Sequence, residues 1–234
     1  MKEPTLHGIF PTPLLFTNID REFTKEELEF FDEHAKSTYK NEGNLTSLDN
    51  YLARHAAMST IAGEITAALQ MYLDKIIVPQ DDVKPYITQA WLNFTAENQF
   101  HHKHAHPNSY LSGVLYINAD EANDKITFYK EGYKQIKLGP KEWNWHNSDS
   151  WFFNVKPGDI VVFPSSLTHM VEQKAGDNVR TSFAFNSFLR GAIGDSRSLT
   201  ELINTSLMTD KPEAPLTPDQ ISKIVGELKE KGVE

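Results

Sequence analysis

From Thr24 to Ile77 apolar residues recur every three to four positions, and after Pro79 they gather in short runs; this change of pattern divides the sequence. From Thr24 to Ala35, a Thr is followed three residues later by Glu27, and apolar Leu28, Phe31 and Ala35 fall at helical spacing. That combination predicts an amphipathic helix opened by a capping box. After the polar Asn41-Glu42-Gly43-Asn44, the positions Leu48, Tyr51, Leu52, His55, Met58, Ile61, Ile65, Leu69 and Leu73 predict one long helix or two shorter ones between Ser47 and Ile77. Beyond Pro79, short β-branched and aromatic runs alternate with Gly, Pro, Asn and Asp. The expected strands are Tyr86 to Thr95, Phe100 to His106, Tyr110 to Asn118, Ile126 to Tyr129, Trp151 to Val155, Asp159 to Phe163, His169 to Gln173 and Val179 to Ser187. So many short strands in one stretch imply a jelly roll or related cupin-like barrel. From Ser196 the pattern returns to helix at Leu199, Leu202, Ile203 and Leu207, and again after Thr217-Pro218. The expectation is a single, mainly β domain with flanking helices: a helical part over 1–80, a jelly-roll core over 86–190 and a helical tail over 196–234.

Composition narrows what such a barrel does. The 234 residues carry 32 acidic and 23 basic side chains, a net charge of −9, without a dense basic stretch. Binding to nucleic acid rests on Lys and Arg displacing counterions, so neither nucleic acid nor an anionic membrane is an expected partner. With no cysteine, thiolate metal sites, disulfides and Cys nucleophiles are excluded, and any metal must be held by His, Asp or Glu. No apolar run has the length of a secretory signal or a membrane span, which predicts a soluble, cytoplasmic protein. A homodimer is left open.

The segment Phe100-His101-His102-Lys103-His104-Ala105-His106-Pro107 concentrates the histidines. On a strand, His102, His104 and His106 share one face while His101 and Lys103 point away. His102 and His106 would lie about 13 Å apart along an extended strand, too far for one metal, so His104 belongs to either usable pair. The pair His104 and His106 is preferred, because Pro107 ends the strand and sets His106 at a barrel mouth. The plain alternative is a solvated polar strand. Downstream, Pro157-Gly158-Asp159 launches the apolar Ile160 to Phe163, Pro164 breaks it, His169 opens the next strand, and a Gly-Asp-Asn turn leads to Arg180. Arg180, Ser182 and Ala184 face one way, and Thr181, Phe183 and Phe185 the other. An Arg on such a strand calls for an anionic partner, such as a ligand carboxylate.

These pieces resemble the Fe(II)- and 2-oxoglutarate-dependent dioxygenases, in the branch of the prolyl hydroxylases and related uncharacterised oxygenases of phages and marine bacteria. The resemblance rests on His104-Ala105-His106, on Leu111 to Asn118, on Pro157-Gly158-Asp159 with Phe163-Pro164 and His169, and on Arg180 eleven residues further on; it spans roughly 86–187. It implies a double-stranded β-helix, a metal site containing His104 and His169, Arg180 with Ser182 and Tyr116 on the far carboxylate of 2-oxoglutarate, and Asn93 as a further polar contact. The implied cofactors are Fe(II) and 2-oxoglutarate, with dioxygen as co-substrate; the products are succinate, CO2 and a hydroxylated peptide, protein or small molecule, with a peptidyl proline as the first substrate to consider. The sequence departs from the family where Asp or Glu is usual and His106 stands instead; Glu97, Asp120 and Glu121 are out of register unless a loop brings one in. A neutral imidazole there leaves the metal one unit more positive.

Two other classes compete: a cupin-like metalloenzyme with three histidines that does not use 2-oxoglutarate, and a non-enzymatic jelly-roll binding module. Trp143 to Trp151 reads either as a lid or platform at the barrel mouth or as a cap on the core, and Tyr129 to Lys134 as a charged hairpin. His55, on the apolar stripe of the second helical region, reads as a core or boundary residue, and the tail from Asp219 to Glu234 as a solvated helical face.

Overall fold

The computed structural model describes residues 3–132, 136 and 138–202. The helices expected beyond residue 202, including the one after Thr217-Pro218, lie outside the described residues, and so do Tyr133 and Lys134 of the charged hairpin. Within the described part, Ser196 to Leu202 forms turns and a single bridge between Ile193 and Leu202, and the helix expected to start at Leu199 is not formed there.

The N-terminal third runs β1 (Leu15–Asn18), α1 (Lys25–Ala35), β2 (Thr38–Lys40), β3 (Leu45–Ser47), two short 3-10 turns and α2 (Ser59–Tyr72), which ends in a π turn over Leu73–Ile77. The capping box at α1 forms as its sequence requires: Thr24 Oγ1 accepts from the Glu27 amide and the Glu27 carboxylate accepts from the Thr24 amide. The buried face of α1, however, consists of Glu27, Phe30 and Phe31, while Leu28 is 45% exposed. The helix is turned by Arg21, which forks between the Glu27 and Glu64 carboxylates at 2.7–2.8 Å and so draws Glu27 inward. Helical periodicity in α2 holds: Ile61, Ile65, Ala68, Leu69 and Tyr72 are all buried.

The β strands that follow are β4 (Lys84–Thr95), β5 (His101–His104), β6 (Leu111–Asn118), β7 (Lys125–Tyr129), β8 (Ser150–Asn154), β9 (Asp159–Pro164), β10 (His169–Val171) and β11 (Arg180–Arg190). They make two antiparallel sheets, a large one in the order β1-β9-β6-β11-β4-β3-β2 and a small one in the order β5-β10-β7-β8. The central strands of the large sheet are buried on both faces. Phe183 and Phe185 of β11, with Ile160 and Val162 of β9, pack against Phe31, Ile61, Ile65 and Leu69 of the helices. Val161 and Phe163 of β9 and Tyr116 of β6 point the opposite way, onto Ile126, Phe128 and Val155. Strands buried on both sides read as unbroken apolar runs, which is the character of Ile160 to Phe163. Gly113 in β6 is required by this packing: a Cβ there would run into the Phe185 ring and the Val161 carbonyl oxygen. The architecture is a double-stranded β-helix, mainly β, with the N-terminal helices laid on the outer face of its large sheet.

Candidate active site

His104 on β5 lies directly opposite His169 on β10, but the next paired positions are Val171 and His101, so three steps along β5 face two along β10. Such a bulge turns residues three apart to one side. His101 therefore faces inward together with His104, their rings stacked at 4.7 Å and 20°, against the strict alternation that would have sent it outward. β5 ends at His104, short of the expected His106. The His106 amide instead donates to the Ser165 carbonyl at 2.8 Å, a tie to the loop between β9 and β10 that swings its ring to 4.9 Å from His104 and 5.1 Å from His169. His104 and His169 are 4.4 Å apart, centroid to centroid. The ligand-bearing atoms of His104, His106 and His169 all lie within 4.8 Å of one another, as do those of His101, His102 and His104. Among the described residues no carboxylate joins either group; Glu97, Asp120 and Glu121 all stand apart from them.

Protonation and tautomer suit these imidazoles to metal binding. His104 Nδ1 lies 2.8 Å from the His102 carbonyl and His169 Nδ1 lies 3.0 Å from the Leu167 carbonyl. A carbonyl only accepts, so Nδ1 carries the proton in both and Nε2 is left with its lone pair. Burial, with neighbouring imidazoles adding to it, pushes His169 down to about 3 and His106 to about 4; burial also lowers His104. Neutral nitrogen donors in this number fit a divalent transition metal.

Behind the histidines is a chamber lined by Asn93, Gly113, Val114, Tyr116, Ile126, Arg180, Ser182 and Ala184. The alternation along β11 places Arg180, Ser182 and Ala184 in it, with Phe183 and Phe185 on the helical side. Register aligns the polar groups: Ser182 pairs with Asn93 on one side and Tyr116 on the other, and Arg180 pairs with Thr95. Arg180 is 2% exposed, donates from Nη2 to Thr95 Oγ1 at 3.2 Å, and has no hydrogen-bond partner on Nε. Among the described residues no carboxylate pairs with it. Burial therefore lowers its pKa, and an anion entering the chamber would supply the missing partner. Burial likewise raises Tyr116, which stays a phenol and a donor. Asn93 Oδ1 already accepts from Thr46 Oγ1 at 3.1 Å, so its amide nitrogen is the group left for a ligand. The chamber thus has the imidazoles and the Arg180 guanidinium in one lining.

On the other side of the histidines a vestibule of about 260 Å³ opens past Trp91, lined by Tyr39, Asn41, Asn50, Gln89 and Asn186. Sequence reasoning did not single out these residues, since amides scattered over two strands and two loops leave no motif. Trp143 and Trp145 are 62% and 67% exposed, and Trp145 stacks on Trp151 at 4.4 Å. Trp145 and Trp151 line a separate groove of about 830 Å³ with His7 to Thr12 and Leu14, so this aromatic segment borders neither the chamber nor the vestibule.

A family model described as "Putative 2OG-Fe(II) oxygenase" matches residues 89–186, the stretch holding every residue of the chamber. No curated protein matches the chain. Among solved structures, the fold is similar to that of the non-heme alpha ketoglutarate dependent epimerase SnoN from nogalamycin biosynthesis, with a TM-score of 0.53 at 12% identity, covering 89% of this chain and 92% of that one. SnoN has also been solved in complex with Fe3+, alpha ketoglutarate and nogalamycin RO. HygX from Streptomyces hygroscopicus, solved with iron bound, aligns with a TM-score of 0.48 at 14% identity over 75% of this chain and 82% of its own. A prolyl-4-hydroxylase from Pseudomonas putida aligns with a TM-score of 0.45 at 13% identity over 75% and 92%.

Proposed function

We propose, from the premise that residues 89–186 form the barrel of a 2OG-Fe(II) oxygenase-type oxidoreductase with iron and 2-oxoglutarate as cofactors, that His104, His106 and His169 hold the iron and that Arg180, Ser182, Tyr116 and Asn93 hold the 2-oxoglutarate. Bound together, the two cofactors supply the oxidative decarboxylation of 2-oxoglutarate by dioxygen to succinate and CO2, with the second oxygen atom passed to the organic substrate as hydroxyl. The chain's own part is positional. The carbonyls of His102 and Leu167 hold Nδ1 of two imidazoles and leave Nε2 as the nitrogen that would bind the metal. Arg180 offsets the charge of the distal carboxylate, and Tyr116 donates to it from a buried phenol. Val114, Ile126 and Ala184 keep water from the chamber. Trp91 stands between chamber and vestibule and sets where a substrate meets the metal.

The observation that carries this reading is Arg180, a buried guanidinium with an open Nε that, among the described residues, forms no ion pair with a carboxylate. For the substrate, a peptidyl proline is the first trial: the amides of Asn41, Asn50, Gln89 and Asn186 pair with peptide groups, and Trp91 offers a flat face to a pyrrolidine ring. A small molecule bearing the same polar groups is the second trial, in the same vestibule. The cofactor test is anaerobic titration of the protein with Fe(II) and then 2-oxoglutarate, following the visible metal-to-ligand charge-transfer band. The band is expected in the wild type, and Arg180→Ala is expected to need far more 2-oxoglutarate to reach it. One observation favours a second reading, a cupin-like three-histidine enzyme without 2-oxoglutarate: His106 stands where a carboxylate is usual. Iron binding with no band, and turnover indifferent to Arg180→Ala, would select that reading, and absence of bound iron would select the binding module.

A further inference from the structure

We propose that His34, Asp49 and His55 form a second cation site, for zinc(II), outside the barrel at the end of α1. The ligand-bearing atoms of the three lie within 4.8 Å of one another, a grouping as close as that in the barrel. They come from two segments that the fold brings together. His34 is in the last turn of α1, and Asp49 and His55 bracket the turn that leads from β3 toward α2.

Each side chain is already aimed. Asp49 is 3% exposed; its Oδ1 accepts from the Tyr51 amide at 2.7 Å, which turns Oδ2 toward His55 Nε2, also at 2.7 Å. Its backbone carbonyl is held by Ser47 Oγ at 2.8 Å, and that hydroxyl in turn accepts from the Leu92 amide, so the turn is pinned to β4. His34 donates from Nδ1 to the Phe30 carbonyl at 2.9 Å and is left with Nε2 free, the same device that sets His104 and His169. The Phe30 ring packs at 4.1 Å on His34 and 5.1 Å on His55, and the two imidazoles stand 5.6 Å apart. This apolar wall fixes both rings, while the His55 side chain, 22% exposed, leaves an edge open to solvent for entry and for a water ligand.

The donor set decides the ion. Two imidazoles with one carboxylate suit zinc and disfavour calcium or magnesium, which take oxygen ligands. At a zinc–nitrogen distance of about 2.1 Å, tetrahedral ligand atoms are about 3.4 Å apart. The His55–Asp49 pair therefore opens slightly, His34 closes in, and the proton now on His55 Nε2 passes to Nδ1. A cation also suits the C-terminal end of α1, where the helix dipole is negative. The ion would tie α1 to the turn whose Asn50 carbonyl accepts from the Ala90 amide at 2.9 Å and whose Asn50 side chain lines the vestibule. It would thus brace one wall of the substrate entrance from behind.

The test uses zinc(II) on the full chain carrying His104→Ala and His169→Ala; because His104 is common to both imidazole groups of the barrel, this background removes them together. Isothermal titration is expected to show one tight equivalent, with a Tm that rises on adding zinc and falls with EDTA. Adding His34→Gln to that background is expected to weaken the equivalent by more than about 100-fold, beyond what loss of an outer hydrogen bond to a ligand costs. Asp49→Asn, whose amide oxygen can still accept from Tyr51, is expected to do the same. Cobalt(II) is expected to give tetrahedral d–d bands that His34→Gln abolishes, with circular dichroism confirming that the variant is folded. No tight equivalent in the barrel double variant, or one that His34→Gln leaves unchanged, would overturn the proposal.

Discussion

Replacing Arg180 by Met separates what this residue does for the fold from what it does for a ligand. The guanidinium is 2% exposed, makes one hydrogen bond of 3.2 Å to Thr95, and leaves Nε unpaired. A buried donor without a partner costs about 1–3 kcal/mol, and a buried charge without a counter-ion adds to that. Met has similar reach and no charge, so Arg180→Met is expected to stabilise the ligand-free protein by about 1–3 kcal/mol. In a chain of this size that raises Tm by about 2–12 °C, at about 2–4 °C per kcal/mol. For the wild type, anaerobic with Fe(II), 2-oxoglutarate at 100 times its Kd contributes about 2.7 kcal/mol, or about 5–11 °C. The variant is expected to start higher and to gain nothing. Differential scanning calorimetry with and without 2-oxoglutarate reads both effects. A variant that melts several degrees below the wild type, yet gains as much from 2-oxoglutarate, would refute the argument that Arg180 is an unsatisfied cation held for a carboxylate.

Four further outcomes are expected. His104→Ala and His169→Ala should each lower Fe(II) affinity by more than about 100-fold, read by anaerobic titration, with the circular dichroism spectrum unchanged. His106→Asp should bind Fe(II) more tightly and 2-oxoglutarate more weakly, since it removes one unit of positive charge from the centre; two successive titrations show whether the affinities move in opposite directions. Gly113→Val should cost about 1–3 kcal/mol or more by forcing apart Phe185 and β9, seen as a lower midpoint in urea. For Glu27, burial pushes the carboxyl up, but the hydrogen bonds from Arg21 and the Thr24 amide outweigh it and hold it below its ordinary value. Its contribution is therefore complete above about pH 4.5 and is lost as pH falls through the lowered value. Glu27→Gln should cost about 2 kcal/mol at pH 7 and progressively less below pH 4.5, measured by urea unfolding at pH 7 and pH 3.

Much of the barrel was legible because its strands carry their own signal. The run Ile160 to Phe163 and the alternation of Arg180, Ser182 and Ala184 against Phe183 and Phe185 place each face without any knowledge of the neighbours. The three strands Leu15–Asn18, Thr38–Lys40 and Leu45–Ser47 were not expected, because three or four residues are too few to show a period; the first forms by pairing with β9, the third with β4, and the second only with the third. The buried face of α1 was read only in part, with Phe31 buried as expected but Leu28 and Ala35 exposed, for a related reason: Glu27 is drawn inward by Arg21, a partner no helical pattern on its own can supply. His101 shows the same limit inside the site. Its direction is set by an extra residue in β5 relative to β10, and a bulge is a property of two strands rather than of either sequence.

His55 carries that argument one step further. Within one sequence it sits on an apolar stripe and reads as a packed boundary residue; in the fold it meets a buried Asp49 six positions earlier and His34 twenty-one positions earlier. In both histidine groups backbone carbonyls, those of Phe30, His102 and Leu167, hold Nδ1 protons and leave Nε2 with its lone pair. The two differ in charge. The barrel group is neutral and stands beside the cation Arg180, so a metal bound there makes the chamber more positive and demands an anionic cosubstrate. The outer group includes Asp49, which already offsets half the charge of a divalent ion and needs no anion besides. On this physical ground the first group suits an exchanging catalytic centre and the second a permanent brace, and titrating zinc with and without 2-oxoglutarate tests it: only the affinity of the barrel group should respond.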